Sequence, residues 1–309
     1  MNETYLNQVK LLLRVLPIIS KEDNLALKGG TAINLFFRDM PRLSVDIDLT
    51  YLPIADRESS LQDITNILNR IKDDIKKTIP RTLVNTRELN NTEFLSGLLI
   101  QGDGVHVKVE VNTTIRGSVH PPVKLSLSNK ASELFEMDVE ILSLSFEDVY
   151  AGKICAALDR QHPRDFYDIK LLLENEGISD KLRKTLIAYL ISNNRPIVEL
   201  LNPNLIDITN IFNQEFSGMT MDNVSIEELI KSRDELIEQI HSSISDDDIN
   251  FLLSFKSKTP KWELLGLDGV KNLPSIRWKM LNLDRMSKDK HAVAFDKLQK
   301  FLNTLRKIN

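Results

Sequence analysis

Residues 42–49 alternate between polar and apolar side chains without interruption. Successive side chains of a strand point to opposite faces, so this pattern predicts a strand with one face towards a core. The polar positions, which share the other face, are Arg42, Ser44, Asp46 and Asp48. Neighbouring aspartates repel each other, and Asp is a poor strand former. A hard divalent cation between Asp46 and Asp48 would remove this penalty, so the pair is a candidate Mg²⁺ (or Mn²⁺) site.

A glycine turn lies just before this strand. Residues 24–28 are typical of a short, partly buried strand, Gly29 and Gly30 break it, and a helix is predicted from Thr31 onward. Such a turn exposes backbone N–H groups at the positive end of the helix dipole, which favours a bound phosphate. A plain turn and a solvated strand face are the alternatives for each half alone. Their occurrence in one strand–turn–helix–strand unit favours the pairing of phosphate and metal sites that nucleotidyl transfer needs.

Three further patterns complete the first half of the chain. Helical spacing of apolar residues predicts a helix over residues 4–19 and one long helix between Pro53 and Pro80. The run Val105–Asn112 predicts a strand with its valines on one face and Glu110 on the other. Glu110 is then either a site carboxylate or a solvent-facing strand residue. Residues 129–143 are predicted to be connecting strand and turn.

The second half of the chain has a helical pattern. Ser145 and Asp148 have the spacing of a helix cap, and the helix that they open carries Lys153 among small residues. Pro163 suits the first turn of a new helix, which places Asp165 and Asp168 one turn apart on one side. Lone helical lysines are mostly surface residues, and acids in a first turn favour the helix dipole. These two alternatives therefore stay open. Residues from 178 onward predict further helices.

The composition of the chain indicates its class and its cellular compartment more clearly than its chemistry. A length of 309 residues is typical of two domains, and 42% apolar with 27% charged residues indicates a globular protein. Only Cys155 is present, so no intramolecular disulfide can form, and a reducing cytoplasm is expected. No apolar run reaches the length of a membrane span, and no basic leader is evident at the N-terminus, so no membrane partner is expected. The formal net charge of −4 argues against coating of nucleic acid in bulk but leaves room for a local basic patch that docks an RNA end.

Three blocks of this sequence resemble one family. The first combines Gly-Gly-Thr-Ala at 29–32 with Pro-Arg-Leu-Ser-Val-Asp-Ile-Asp at 41–48. The second runs from Leu144 to Lys153 and continues as Arg-Asp-x-x-Asp at 164–168, and the third covers residues 273–283. Together they are similar to the AbiEii/MenT-type nucleotidyltransferases, often toxins of bacterial toxin–antitoxin and phage-defence systems, within the DNA polymerase β-like superfamily.

The resemblance implies roles for individual residues. The nucleotide-binding positions would be Gly29, Gly30, Thr31 and Arg42, the catalytic positions Ser44, Asp46, Lys153 and Asp165, and the metal ligands Asp46, Asp48 and Glu110. Asp168 is an alternative to Asp165 as the later acidic residue. Glu110 would be the carboxylate that superfamily members supply from a neighbouring strand, to complete the metal shell or to accept a proton.

The resemblance also implies the architecture and the reaction. The expected fold is α/β: a nucleotidyltransferase fold with a small mixed β-sheet flanked by helices over residues 1–175, and a helical C-terminal domain over residues 176–309. The expected reaction transfers a nucleoside monophosphate from a nucleoside triphosphate (NTP) to an acceptor hydroxyl, with a tRNA acceptor end as substrate and a cognate antitoxin as partner. The alternatives are modification of a small molecule or a protein, and a catalytically inactive module that binds a nucleotide or a partner.

Overall fold

The computed structural model describes residues 3–306, in which helices and strands are mixed in the first half and helices follow in the second. The expected lack of a basic leader concerns a stretch whose first two residues, Met1 and Asn2, lie outside this range. The helices are α1 Glu3–Ile19, α2 Gly29–Ala32, α3 Arg57–Thr78, α4 Asn129–Phe135, α5 Phe146–Arg160, α6 Pro163–Asn175, α7 Asp180–Ser192, α8 Ile197–Leu201, α9 Thr209–Ile211, α10 Ile226–Ser243, α11 Asp246–Lys256, α12 Trp262–Leu265, α13 Pro274–Arg285 and α14 Lys288–Leu305. The strands are β1 Leu25–Lys28, β2 Asp46–Tyr51, β3 Leu83–Glu88, β4 Leu95–Gly102, β5 Val105–Asn112, β6 Val123–Ser126 and β7 Glu140–Ser143. Short π-helical segments, Ile33–Phe37 and Phe212–Phe216, follow α2 and α9.

The strands form one mixed sheet. Within residues 3–306 its order is β3-β4-β5-β2-β1-β7-β6. Strand β2 pairs parallel to β5, β1 pairs parallel to β7, and the other neighbours are antiparallel. The α/β class and the small mixed sheet flanked by helices are therefore confirmed, and so are the helices of the C-terminal part.

Helix α3 covers one part of the sheet through the apolar stripe expected between Pro53 and Pro80. Its buried positions include Leu61, Ile64, Ile67, Leu68, Ile71 and Ile75. The Asp56 side chain caps the helix by accepting a hydrogen bond from the Ser59 backbone N–H at 2.9 Å. Helix α1 buries a similar apolar face, as its spacing predicted.

The strand predicted over residues 42–49 begins only at Asp46, so its first half was wrong. Residues 42–45 leave the sheet because another segment takes up their backbone groups. The Leu43 N–H donates to the Met219 carbonyl at 2.9 Å, and Arg42 forms an isolated antiparallel bridge with Thr220. Arg42 and Ser44 are consequently buried rather than spread over an open strand face.

The region 129–143 also differs from its prediction, because it contains the helix α4 before the strand β7. Of the seven residues of α4, only Ala131 is buried. A helix of this length with one core residue leaves no apolar periodicity for the sequence to reveal.

The chain divides into two compact units. The first runs to Val149 and also includes Ser217–Asn223, and the second comprises Tyr150–Phe216 and the residues from Val224 onward. The boundary between folding domains after residue 175 stays a prediction. Within residues 3–306, no helix combines the length and the apolar character that a membrane span requires.

The α3 stripe predicts a large difference between two isoleucine variants. Ile64→Ala removes a fully buried side chain and should lower the free energy of unfolding by about 2–5 kcal/mol. Ile54→Ala, the matched control, truncates a side chain that is 53% exposed and should change it by less than about 0.5 kcal/mol. Urea titrations followed by circular dichroism measure both. Equal losses would show that this face of α3 does not anchor the sheet.

Candidate functional site

The glycine turn closes tightly on the strand that carries the aspartates. The antiparallel register of β1 and β2 places Lys28 opposite Asp48, so the next residue, Gly29, lies against the Asp48 side chain. A Cβ atom on Gly29 would lie 2.6 Å from Asp48 Oδ2, and the φ angle of Gly29 is +70°. Both facts require glycine, since a side chain would displace the carboxylate and would be strained in this conformation.

The second glycine faces the guanidinium and the hydroxyl that precede β2. A Cβ atom on Gly30 would lie 2.9 Å from Arg42 Nη2 and also 2.9 Å from Ser44 Oγ. The Arg42 side chain is anchored in turn, because its Nη1 donates to the Leu43 carbonyl at 2.9 Å. Gly30 thus leaves room for a cation and a hydroxyl at the start of the helix.

Thr31 connects the helix start to the residues before β2. Its hydroxyl donates to the Asp46 carbonyl at 2.6 Å and is hydrogen-bonded to Ser44 Oγ at 3.0 Å. Thr31 is 1% exposed. The position expected to bind phosphate through its hydroxyl therefore positions Ser44 and the first residue of β2.

The parallel pairing of β2 and β5 brings the three predicted carboxylates to neighbouring positions. Asp48 lies opposite Glu110, and Asp46 lies two residues away on the same face of β2. Glu110 forms an ion pair with Arg87 of β3 and has a side chain that is 47% exposed. Among residues 3–306, no three His, Cys, Asp or Glu side chains are grouped closely enough to hold a metal ion. Mg²⁺ in phosphate-transfer sites is commonly held by one or two carboxylates together with substrate phosphates, and Asp46 with Asp48 fits that donor set.

Most of the predicted site residues of the first half thus converge in the first unit. We call them the glycine-turn cluster, and its members are Gly29, Gly30, Thr31, Arg42, Ser44, Asp46 and Asp48. The catalytic, nucleotide-binding and metal-binding roles of these residues, and of Glu110, stay predictions.

In the second unit, Lys153 is buried against two carboxylates. Its ammonium nitrogen lies 2.7 Å from Asp165 Oδ1 and 2.9 Å from Asp168 Oδ2. Lys153 is 6% exposed, and both aspartates are fully buried. The Lys153 ammonium therefore contacts both candidates for the later acidic residue.

Arg160 adds a second cation to this group. Its Nε lies 2.6 Å from Asp165 Oδ2 and its Nη2 lies 2.9 Å from Asp165 Oδ1, a two-pronged contact. Burial alone would raise the pKa of Asp165, but the Lys153 ammonium and the Arg160 guanidinium outweigh it and hold this pKa well below its ordinary value. We call Lys153, Arg160, Asp165 and Asp168 the lysine–aspartate cluster.

His162 fixes the start of the helix that carries these aspartates. Its Nδ1 accepts a hydrogen bond from the Arg164 backbone N–H at 3.1 Å, so its Nε2 carries the proton and lies 3.0 Å from Glu215 Oε2. Burial lowers the pKa of His162, and the hydrogen bond to Glu215 partly opposes this. The residue acts as the N-cap of α6, three positions before Asp165.

Sequence reasoning missed several contributors to the two clusters. Arg160 and His162 lie between the two parts of the second block and were given no role, because Arg160 ends α5 and His162 lies in the break before α6, so neither shares a helix with Asp165. The segment 217–223, which supplies backbone partners to Arg42 and Leu43, carries no motif at all.

Comparisons with known proteins identify the family of the chain and proteins of similar fold. The profile of a family described as nucleotidyl transferase AbiEii toxin, type IV TA system, matches residues 10–280. Among solved structures, the fold is similar to that of MenT4, a nucleotidyltransferase toxin from Mycobacterium tuberculosis H37Rv, with a TM-score of 0.60 and 12% sequence identity. That similarity covers 91% of this chain and 93% of MenT4. No curated protein sequence matches.

Gly29 offers a test of the close approach to Asp48. Gly29→Ala and Gly104→Ala both place Ala at positive φ, but only Gly29 has a neighbour within 4 Å of the added atom. Gly104→Ala should lower the free energy of unfolding by about 1 kcal/mol, and Gly29→Ala should cost at least about 1 kcal/mol more. Chemical denaturation of both variants measures this, and equal losses would contradict a steric requirement at Gly29.

The lysine–aspartate cluster predicts a strong stability effect. Asp165→Asn should lower the free energy of unfolding by about 3–5 kcal/mol at pH 7, because it removes one of the two carboxylates that neutralise the buried Lys153 ammonium. The folded-state pKa of Asp165 lies below its unfolded value, so this stabilisation is present above pH 4 and is lost only as pH falls through the folded pKa. The variant and wild type should therefore still differ fully at pH 5.

The control for this prediction is Asp180→Asn, which removes an exposed carboxylate 3.4 Å from Arg183. It should change the free energy of unfolding by less than about 1 kcal/mol. Denaturation curves between pH 5 and pH 8 compare the variants. An Asp165→Asn protein as stable as the Asp180→Asn protein would show that the cluster contributes little.

Proposed function

Because the chain belongs to the AbiEii family of nucleotidyltransferase toxins from type IV toxin–antitoxin systems, we propose that it transfers a nucleoside monophosphate from an NTP to an RNA hydroxyl, releasing pyrophosphate. The proposed acceptor is the acceptor end of a tRNA, as the similarity of the sequence blocks implies. The observation that carries this proposal is the glycine-turn cluster, in which a guanidinium, a hydroxyl and a carboxylate surround two glycines.

The glycine turn is proposed to bind the phosphates of the NTP. The Lys28 side chain does not cap the helix that follows it, and the first backbone N–H groups of this helix lie at the positive end of the helix dipole. Arg42 supplies a guanidinium next to Gly30, where it can neutralise phosphate charge. Ser44, hydrogen-bonded to Thr31, supplies a hydroxyl at the same place. These donors would orient the triphosphate before the acceptor attacks.

The two aspartates of β2 are proposed to hold Mg²⁺ or Mn²⁺. When bound, such an ion neutralises charge that develops on the transferred phosphate. Asp48 is held at the turn by its packing against Gly29, so its carboxylate is placed beside the phosphate site. Glu110 is proposed as a third ligand or as the acceptor of the proton from the attacking hydroxyl, and its contact with Arg87 orients it.

Lys153 is proposed as the catalytic lysine, with Asp165 and Asp168 as the residues that position it. The carboxylates fix its ammonium group at 2.7 Å and 2.9 Å, so the direction of its side chain is set before the nucleotide binds. Arg160 shares Asp165 with Lys153, which keeps a second positive charge beside this carboxylate.

The proposed setting is the cytoplasm, where NTPs and tRNA are both present. A cognate antitoxin is the proposed protein partner. Transfer to a small molecule or a protein is the competing reaction within the same superfamily, and the experiment below separates the two.

The purified protein should label RNA when incubated with radiolabelled NTPs, total RNA and Mg²⁺. Asp46→Ala should lower the rate on the order of a thousandfold, since it removes a proposed ligand of the metal ion that would neutralise charge on the transferred phosphate. Asp103→Asn, which removes an exposed carboxylate in the β4–β5 turn, should leave the rate unchanged. Gel electrophoresis of the RNA measures the transferred label.

Two results would overturn the proposal, one from this labelling assay and one from a growth assay in cells. Label found only on protein or small molecules would replace the RNA acceptor with another substrate. Growth inhibition in cells that is equal for wild type, Asp46→Ala and Lys153→Ala would separate toxicity from catalysis.

A further inference from the structure

Helix α13 exposes a stripe of side chains that nothing in the glycine-turn or lysine–aspartate clusters accounts for. The exposed members are Arg277, Trp278, Leu281, Asn282 and Arg285, and the acidic Asp284 is exposed at the edge of the same face. Their spacing of one, four, five and eight residues from the first puts them on a single helical face. The buried residues Ile276 and Leu283 anchor the opposite face in the second unit. We call these five residues the α13 stripe.

Trp278, the aromatic residue of the stripe, is exposed and contacts an arginine. The Trp278 side chain is 50% exposed, and the Arg285 guanidinium carbon lies 6.0 Å from the centre of its ring. This distance is typical of a cation–π contact. The Arg285 guanidinium therefore lies over one face of the indole, and about half of the Trp278 side chain is exposed to solvent.

The charge of the surrounding sequence is opposite to that of the rest of the chain. Residues 256–306 contain 12 Lys and Arg but only 5 Asp and Glu, whereas the remaining residues contain 28 and 39. A net charge of +7 is thus concentrated in 51 residues of a protein whose formal net charge is −4. Such a segregation of charge is the electrostatic mark of a surface that meets a polyanion.

Two arginines of the stripe and two lysines that follow it in the sequence are not used for internal ion pairs. Arg277, Arg285, Lys288 and Lys290 are exposed and form no ion pair with any residue between 3 and 306. By contrast, Lys300 and Arg306, farther along the same region, each pair with an aspartate. These four positive charges therefore face solvent.

We propose that the α13 stripe, with Lys288 and Lys290, is a docking surface for RNA. The arginines and lysines bind backbone phosphates, and Trp278 stacks on an unpaired base. This inference rests on the proposed function in naming RNA as the polyanion, and it adds where the acceptor molecule is held.

The composition of the stripe favours RNA over a protein partner. A stable protein interface needs about 20–30 residues on each side and an apolar centre. The stripe offers only Trp278 and Leu281 as apolar residues, on a helix of twelve residues. Arginines around one exposed indole instead match the contacts that single-stranded nucleic acid makes with proteins.

Fluorescence anisotropy with a 5′-labelled single-stranded RNA, measured without NTP between 50 and 300 mM salt, tests this docking surface. The double variant Arg277→Ala/Arg285→Ala should bind about tenfold more weakly near 100 mM salt, and its log–log salt slope should be shallower by about 1.4. Trp278→Ala should weaken binding on the order of tenfold through lost stacking, whereas Trp278→Phe should retain most of the affinity.

The matched control, Lys10→Ala/Lys76→Ala, removes the same charge from exposed positions of α1 and α3. It should leave both affinity and slope unchanged. Equal affinity and slope for the control and the arginine variant would overturn the docking surface. An arginine variant that loses binding to an acidic protein but keeps its binding to RNA would overturn it too. Circular dichroism checks that all variants fold.

This design separates the inference from the proposed function. Label transfer to RNA by the wild type and the arginine variant alike, together with unchanged RNA binding, would reject the docking surface and leave the reaction intact. Salt-dependent RNA binding that is lost in the arginine variant would support the surface, even where transfer to RNA is not observed.

Discussion

The constraint on which the candidate site depends is the steric fit between Gly29 and Asp48. The antiparallel register of β1 and β2 puts the glycine turn against an aspartate side chain, and no Cβ atom fits between them. A one-residue slip of this register would turn Asp46 and Asp48 to the other face of the sheet. The pairing of two short strands therefore decides whether a helix start, a guanidinium and two carboxylates occupy the same place.

The two clusters use different physics to hold their side chains. In the glycine-turn cluster, close backbone packing and hydrogen bonds between hydroxyl and carbonyl groups fix polar atoms beside the start of a helix. In the lysine–aspartate cluster, Lys153 and two carboxylates are buried together, Arg160 reaches Asp165 from a more exposed position, and the attraction of both cations offsets the desolvation of Asp165. Removing one member of such a buried group leaves the others unbalanced, so this cluster combines a structural role with any role in catalysis.

The sequence predicted those elements whose patterns are long and regular. The apolar stripe of α3 and the alternating valines of β5 are confirmed, because burial of one face produced a period that can be read directly. The strand start at Arg42 was wrong, since the backbone of Arg42 and Leu43 pairs with residues 219 and 220 and not with a strand of the sheet. Helix α4 buries a single residue and left no periodic signal.

The candidate residues were predicted because they lie close together in the sequence and have suitable side chains. Their tertiary contacts were not predicted. Gly29, Gly30, Ser44, Asp46 and Asp48 lie close together in sequence, so one strand–turn–helix–strand unit was enough to associate them. The contacts of Arg160 with Asp165, and of Arg87 with Glu110, follow from tertiary packing at irregular spacing. The sequence does not encode such pairs in any local pattern.

The return of residues 217–223 to the first unit has a consequence for biosynthesis. The backbone partners of Arg42 and Leu43 are made only after α6 to α9 and the π-helical segment that follows α9. A growing polypeptide that stops before Met219 therefore lacks the carbonyl that receives the Leu43 N–H. Arg42 therefore acquires its native backbone pairing only after about two-thirds of the chain has been synthesised.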